Sequence, residues 1–85
     1  MMRYEQIGDP IEVISLFQNG RQRPLRFRWK NSVYNVSQVN GGWTSDLGTQ
    51  RRLHYSVCAD GDDVYELCFS LDTLGWELSR VCLVG

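Results

Sequence analysis

Apolar and polar residues alternate at period two through most of this chain, and turn signals break the runs at short intervals. That pattern predicts an antiparallel meander of short strands and leaves little helical periodicity to place. The first predicted strand is residues 11–17 (IEVISLF), starting after Pro10, which cannot donate to a ladder, and ending at Gln18-Asn19-Gly20. The second, Arg23 to Lys30, sets Leu25, Phe27 and Trp29 on a core face and Arg26, Arg28 and Lys30 on the other. A tight connection at residues 30–32 leads to Val33–Val39, where the valines and Tyr34 keep no strict register and a bulge near Ser37-Gln38 is expected.

Asn40-Gly41-Gly42 reads as a turn or kink, and residues 44–52 (TSDLGTQRR) as a polar loop, the longest in the domain. Leu53–Ala59 and Val64–Leu71 form a hairpin around Asp60-Gly61-Asp62-Asp63, because Asp-Gly suits the primed turns that match strand twist. After a turn at residues 72–75, Trp76–Leu83 is the sixth strand. The expected fold is therefore all-β: a single domain over residues 1–85, six antiparallel strands in a meander, curled into a small barrel or a strongly bent sheet. Met1–Asp9 is poor in apolar residues and is expected to fray.

Size narrows what such a fold can hold. At 85 residues the core must be compact, and ten aromatic side chains, each burying about 150–250 Å², meet that need and leave little room for a deep catalytic cavity. Cys58, Cys68 and Cys82 are odd in number, lack metal-ligand spacing and sit in apolar runs, so they read as buried thiols of a reducing compartment. No signal-like or membrane-length apolar run occurs, and a cytoplasmic location with no membrane partner is expected.

Charge adds the main functional signal. Between Arg21 and Arg52 seven cations face one acid, Asp46, for a net charge of +6; residues 53–85 carry −5 and residues 1–20 carry −2. Such segregation bears on partner choice. Arg21, Arg23, Arg26, Arg28, Lys30, Arg51 and Arg52 are the candidate nucleic-acid contacts. Cations two residues apart on a strand repeat about every 6.8 Å, which suits successive phosphates of an extended single strand. Trp43, beside Gly41-Gly42, is the candidate exposed platform on which a base stacks. The competing reading is that the acids of residues 60–77 pair with these cations across strands, so that the row serves sheet register alone.

Other chemistry finds no support. His54 has no nucleophile or carboxylate at a motif spacing, the Asp60–Asp63 turn lacks the ligand series of a calcium loop, and no phosphate-binding glycine motif is present. A non-enzymatic chain without metal or cofactor is expected.

The runs Pro24–Val36 (PLRFRWKNSVYNV), Trp43, Asp60–Leu67 (DGDDVYEL) and Gly75–Val81 (GWELSRV) resemble a small bacterial domain family of uncharacterised function. That module occurs alone and also C-terminal to catalytically inactive Y-family polymerase-like proteins of mutagenic repair. The resemblance covers about residues 11–83. It implies a binding or interaction module near DNA repair and no reaction; with the basic strand, the expected partners are single-stranded nucleic acid or a DNA-repair protein. The chain departs from the family in the weakly cationic character of its C-terminal half. The alternative expectation is a protein-interaction or self-association module, including a homodimer, built on an exposed strand edge.

Overall fold

The structure is a computed structural model that describes residues 2–84. Six strands, β1 (Met2–Gln18), β2 (Arg21–Trp29), β3 (Ser32–Leu47), β4 (Gln50–Ala59), β5 (Val64–Ser70) and β6 (Trp76–Val84), follow in a meander. Each pairs antiparallel with its neighbours, and β1 closes on β6 to complete a barrel.

Closure depends on two long, bent strands. β1 pairs with β6 as far as Ile11 and with β2 from Glu12 onward; β3 pairs with β2 over Ser32–Asn35 and with β4 from Val36. Each is shared between two sheets, and bulges supply the extra bend. In β1, Ile7 and Gly8 fall between the pairs Gln6–Arg80 and Asp9–Leu78, with Gly8 at φ 75°. In β3 the register shifts at Ser37, where the sequence predicts a bulge, and again at Asn40.

The turns follow from residue type. Asn19 and Gly20 have φ 54° and 74°, and Lys30 and Asn31 have φ 50° and 65°, so both connections are two-residue turns of the primed kind. The Asp60–Asp63 hairpin is present but as a longer loop, with Asp60 at φ 49° and Gly61 at φ 140°.

The barrel interior holds Ile11, Phe27, Val57, Ala59, Tyr65, Leu67, Leu78 and Val81, all buried. Phe27 stacks on Tyr34 at 5.0 Å and meets Tyr65 edge-on at 5.4 Å. Polar groups at the interior rims are satisfied: Trp29 Nε1 donates to Asp9 Oδ2 at 2.9 Å, and Gln22 Nε2 donates to Ser15 Oγ at 3.1 Å.

Five sequence expectations need correction. Residues 2–9, of the segment expected to fray, are strand and form part of the half of β1 that pairs with β6, while Met1 lies outside the described residues. Residues 44–52 are not a loop but a hairpin whose only turn residues are Gly48 and Thr49; its polarity misleads because the strand ends project beyond the core. Asn40–Gly42 is strand, not turn. Leu25 leaves the core face: the β1–β2 register passes from Arg26 to Pro24, so Leu25 bulges into solvent and Pro24, which has no N–H for the ladder, is buried. Lys30 leaves the cationic row for the turn, where its ammonium lies 4.9 Å from the Trp29 ring centroid.

Gly42 is required by close approach rather than by its dihedrals. A Cβ there would stand 3.1 Å from the His54 carbonyl oxygen on the paired strand and against the Tyr55 ring, whereas one at Gly41 would meet nothing within 4 Å. Gly42→Ala is expected to cost about 1–2 kcal/mol. Gly41→Ala should be neutral or stabilising by up to about 1 kcal/mol. Thermal melts of the two variants check this, and equal Tm values would contradict it.

Candidate nucleic-acid interface

β2 is the middle strand of a three-stranded wall formed with the second half of β1 and the first half of β3. Phe27 points inward, so Arg26 and Arg28 point outward, and beyond the Leu25 bulge the same outer face continues through Arg23 and Arg21. All four arginines are exposed. Ile14 lies opposite Arg26 and Leu16 opposite Arg23, so the face alternates cations with aliphatic side chains.

β2 touches β3 only from Arg26 to Trp29, and Arg21–Leu25 has no ladder partner on that side. The gap opens a hollow of about 520 Å³ lined by Leu16, Gln18, Asn19, Arg21, Gln22, Arg23 and Val39. A second groove, of about 360 Å³, runs past Arg26 between Ile14 and Val33. Arginines 21, 23 and 26 thus border open concave surface.

The acids do not cover this face. Arg28 is held by Glu12, its Nε donating at 2.7 Å and Nη2 completing the ion pair. Glu66 is taken by Arg80 at 2.5 Å, Asp60 accepts from the Asn35 backbone N–H at 3.1 Å, and Glu77 stands opposite Cys68. Among the described residues, Arg21, Arg23 and Arg26 form no salt bridge. Asp60 and Glu66 are thus engaged away from the cationic row, Glu77 stands on β6, and among the described residues the row's one ion pair joins Arg28 to Glu12 of β1.

The remaining predicted residues lie elsewhere. Arg51 sits at the β3–β4 hairpin against Asp46, at 3.6 Å. Arg52 is half-buried and lines a hollow with the buried Cys68, whose pKa is raised mainly by burial while Arg52 pulls it down. Trp43 is 46% exposed, as expected, but belongs to the wall made by β3, β4, β5 and β6. It lines a hollow of about 210 Å³ with Tyr4, Ser56, Val64, Glu66, Arg80 and Cys82.

Trp43 is a held platform: its ring is parallel to His54 within 4° at 5.1 Å, and His54 Nε2 lies 2.7 Å from Ser45 Oγ. Across the hollow, Tyr4 packs under the Arg80 guanidinium at 4.7 Å, and Glu66 raises the Arg80 pKa through a hydrogen bond and charge. Sequence reasoning missed Tyr4 because it fell in the segment expected to fray. It also missed Ile14 and Leu16, although their parity with Glu12 places them on the polar face of IEVISLF.

Beside the Ser45 contact at Nε2, His54 Nδ1 is buried without a hydrogen-bond partner among the described residues. Cys58 is half-buried, Cys68 and Cys82 are buried, and all three are free thiols. Their chain neighbours Val57, Ala59, Leu67 and Val81 belong to the interior cluster, and Cys68 and Cys82 are buried with them. Among the described residues no cluster of His, Cys, Asp and Glu is arranged to hold a metal ion, and no helix is long and apolar enough to cross a membrane. The chain matches no family model, no curated protein and no solved structure.

Proposed function

We propose that this chain is a non-enzymatic binding module that contacts single-stranded nucleic acid through the outer face of β2, in a DNA-repair setting as its family resemblance implies. The observation that carries the reading is the set of three exposed arginines, Arg21, Arg23 and Arg26, which border open grooves and have no ion-pair partner among the described residues. Guanidinium groups so placed neutralise phosphates and release counterions. Arg28, already held by Glu12, adds less. Trp43 and Tyr4 offer a separate stacking surface for a base of the same strand.

Three phosphate contacts on a single strand give a log–log salt slope near −2, so binding is expected to weaken roughly 20-fold between about 50 and 200 mM salt. Titration of a labelled oligodeoxythymidine measures this directly. In the Arg21→Gln, Arg23→Gln, Arg26→Gln triple variant the salt dependence should almost vanish, while Arg51→Gln should leave it intact. No binding at low salt, or a triple variant that binds like the parent, would overturn the proposal.

A further inference from the structure

Among the described residues, the outer edge of β1 from Glu12 to Gln18 has no strand beside it. Pairing with β6 stops at Ile11, pairing with β2 occupies the other side, and none of the turn and loop backbone hydrogen bonds among the described residues reaches this segment. Free edges are normally blunted by charge, proline or a covering element. This one instead shows Ile14 at 57%, Leu16 at 37% and Phe17 at 69% exposure, with Glu12 its only charge.

We propose that a second copy of this chain covers the edge, β1 pairing antiparallel with β1 about a two-fold axis through Ser15. The register that uses all seven residues sets Ser15 opposite itself, Ile14 opposite Leu16 of the second copy, Val13 opposite Phe17 and Glu12 opposite Gln18. Every pair joins positions of equal parity, so side chains stay on their own faces of the sheet. Exposed Ile14 and Leu16 then cover one another on the outer face, and Phe17 closes over Val13 on the inner.

Charge fits the same register. Gln18 is the β1 neighbour of Arg21, and Leu16 of Arg23. Glu12 of one copy, whose Oε1 is already held by its own Arg28, therefore arrives on the same face two strands from Arg21 of the other, a cation without a salt bridge among the described residues. The edge thus contains its own apolar complement and its own counter-charge, which favours a second copy over an unrelated acidic segment. The contact is isologous, so it closes at two copies. It joins two three-stranded walls into one six-stranded sheet with both arginine rows on its outer face. This inference does not rest on the nucleic-acid reading: a monomer that binds the oligonucleotide sinks the dimer alone, and a dimer that does not bind it sinks only the other.

Sedimentation equilibrium of the full chain, with crosslinking, tests the register. The parent should sediment as a dimer and Ile14→Lys, Leu16→Lys as a folded monomer. A directly opposed antiparallel pair has Cα atoms about 4.5–5.5 Å apart, inside the roughly 4.4–6.8 Å a disulfide accepts. Under mild oxidation Ser15→Cys, in a Cys58→Ser background, should therefore form a covalent dimer. Gln18→Cys in the same background should not, because its opposite residue is Glu12. A monomeric parent at about 100 μM, or crosslinking no faster at Ser15→Cys than at Gln18→Cys, would overturn the proposal, whether or not the lysine variant folds.

Discussion

Phe27→Ala is expected to lower unfolding free energy by about 3–5 kcal/mol, a large share of the roughly 5–15 kcal/mol that holds a domain together. Phe27 is 1% exposed at the centre of β2, and its ring is the contact point of Tyr34 and Tyr65. Truncation removes the apolar burial and both aromatic pairs, each worth about 0.5–1.5 kcal/mol beyond area. The wall cannot collapse readily into the void, because a closed ring of ladders ties barrel diameter to strand number and tilt. A Tm loss of more than about 12 °C follows for a chain this size. Chemical denaturation of Phe27→Ala beside Phe27→Leu, which keeps most of the volume, checks the argument. Equal losses in the two, or a loss under about 2 kcal/mol in the alanine variant, would show that the aromatic cluster does not organise the core.

The second large effect is alkaline. Burial raises the pKa of Cys68 above its ordinary 9.0 and those of Tyr55 and Tyr65 above 10.0, the last also through neighbouring Tyr34, Asp63 and Asp60. In each case the folded protein holds its proton to higher pH than the unfolded chain. Between the unfolded and folded pKa values the native state binds more protons, so stability falls as pH rises. Each group contributes a slope of at most about 1.4 kcal/mol per pH unit within its own window. Stability should therefore be insensitive to these groups up to about pH 8, fall from about pH 9 as Cys68 enters, and steepen above pH 10 with the tyrosines. Midpoints of urea unfolding between pH 7 and 11 read this out. Cys68→Ser should delay the onset by removing the lowest of the three, and an unchanged onset in that variant would refute the assignment.

Strand parity was legible wherever one face meets the core and the other meets water. Phe27 against Arg26 and Arg28 read correctly because burial selects apolar side chains every second residue. Asn19-Gly20 was legible for a different reason: few residue types accept positive φ at two successive positions. The misreadings cluster where a distant partner sets the local geometry. Pro24 and Leu25 exchange roles because β2 is bulged against β1, and Gly41-Gly42 remains extended because β4 pairs across it. Residues 2–9 carry little apolar signal of their own and are held by the β6 ladder.

The same division runs through the candidate site. Segregation of charge, the arginines at alternate positions and the exposure of Trp43 were all visible in the chain, because they depend on residue type and on the period of a strand. Where the acids go was not visible. Glu66 meets Arg80, Glu12 meets Arg28 and Asp60 meets the Asn35 backbone only through the register of paired strands far apart in sequence. The placement of Trp43 and the arginines on different walls, and the open edge of β1, follow from where β1 and β3 change partners. Alternation and turn chemistry act over a few residues, so the amino-acid sequence alone determined six strands and a cationic stretch. Closure, bulges and partner exchange are long-range ladder choices, and the tertiary structure alone decided that, among the described residues, Arg21, Arg23 and Arg26 form no salt bridge and the neighbouring edge of β1 has no strand beside it.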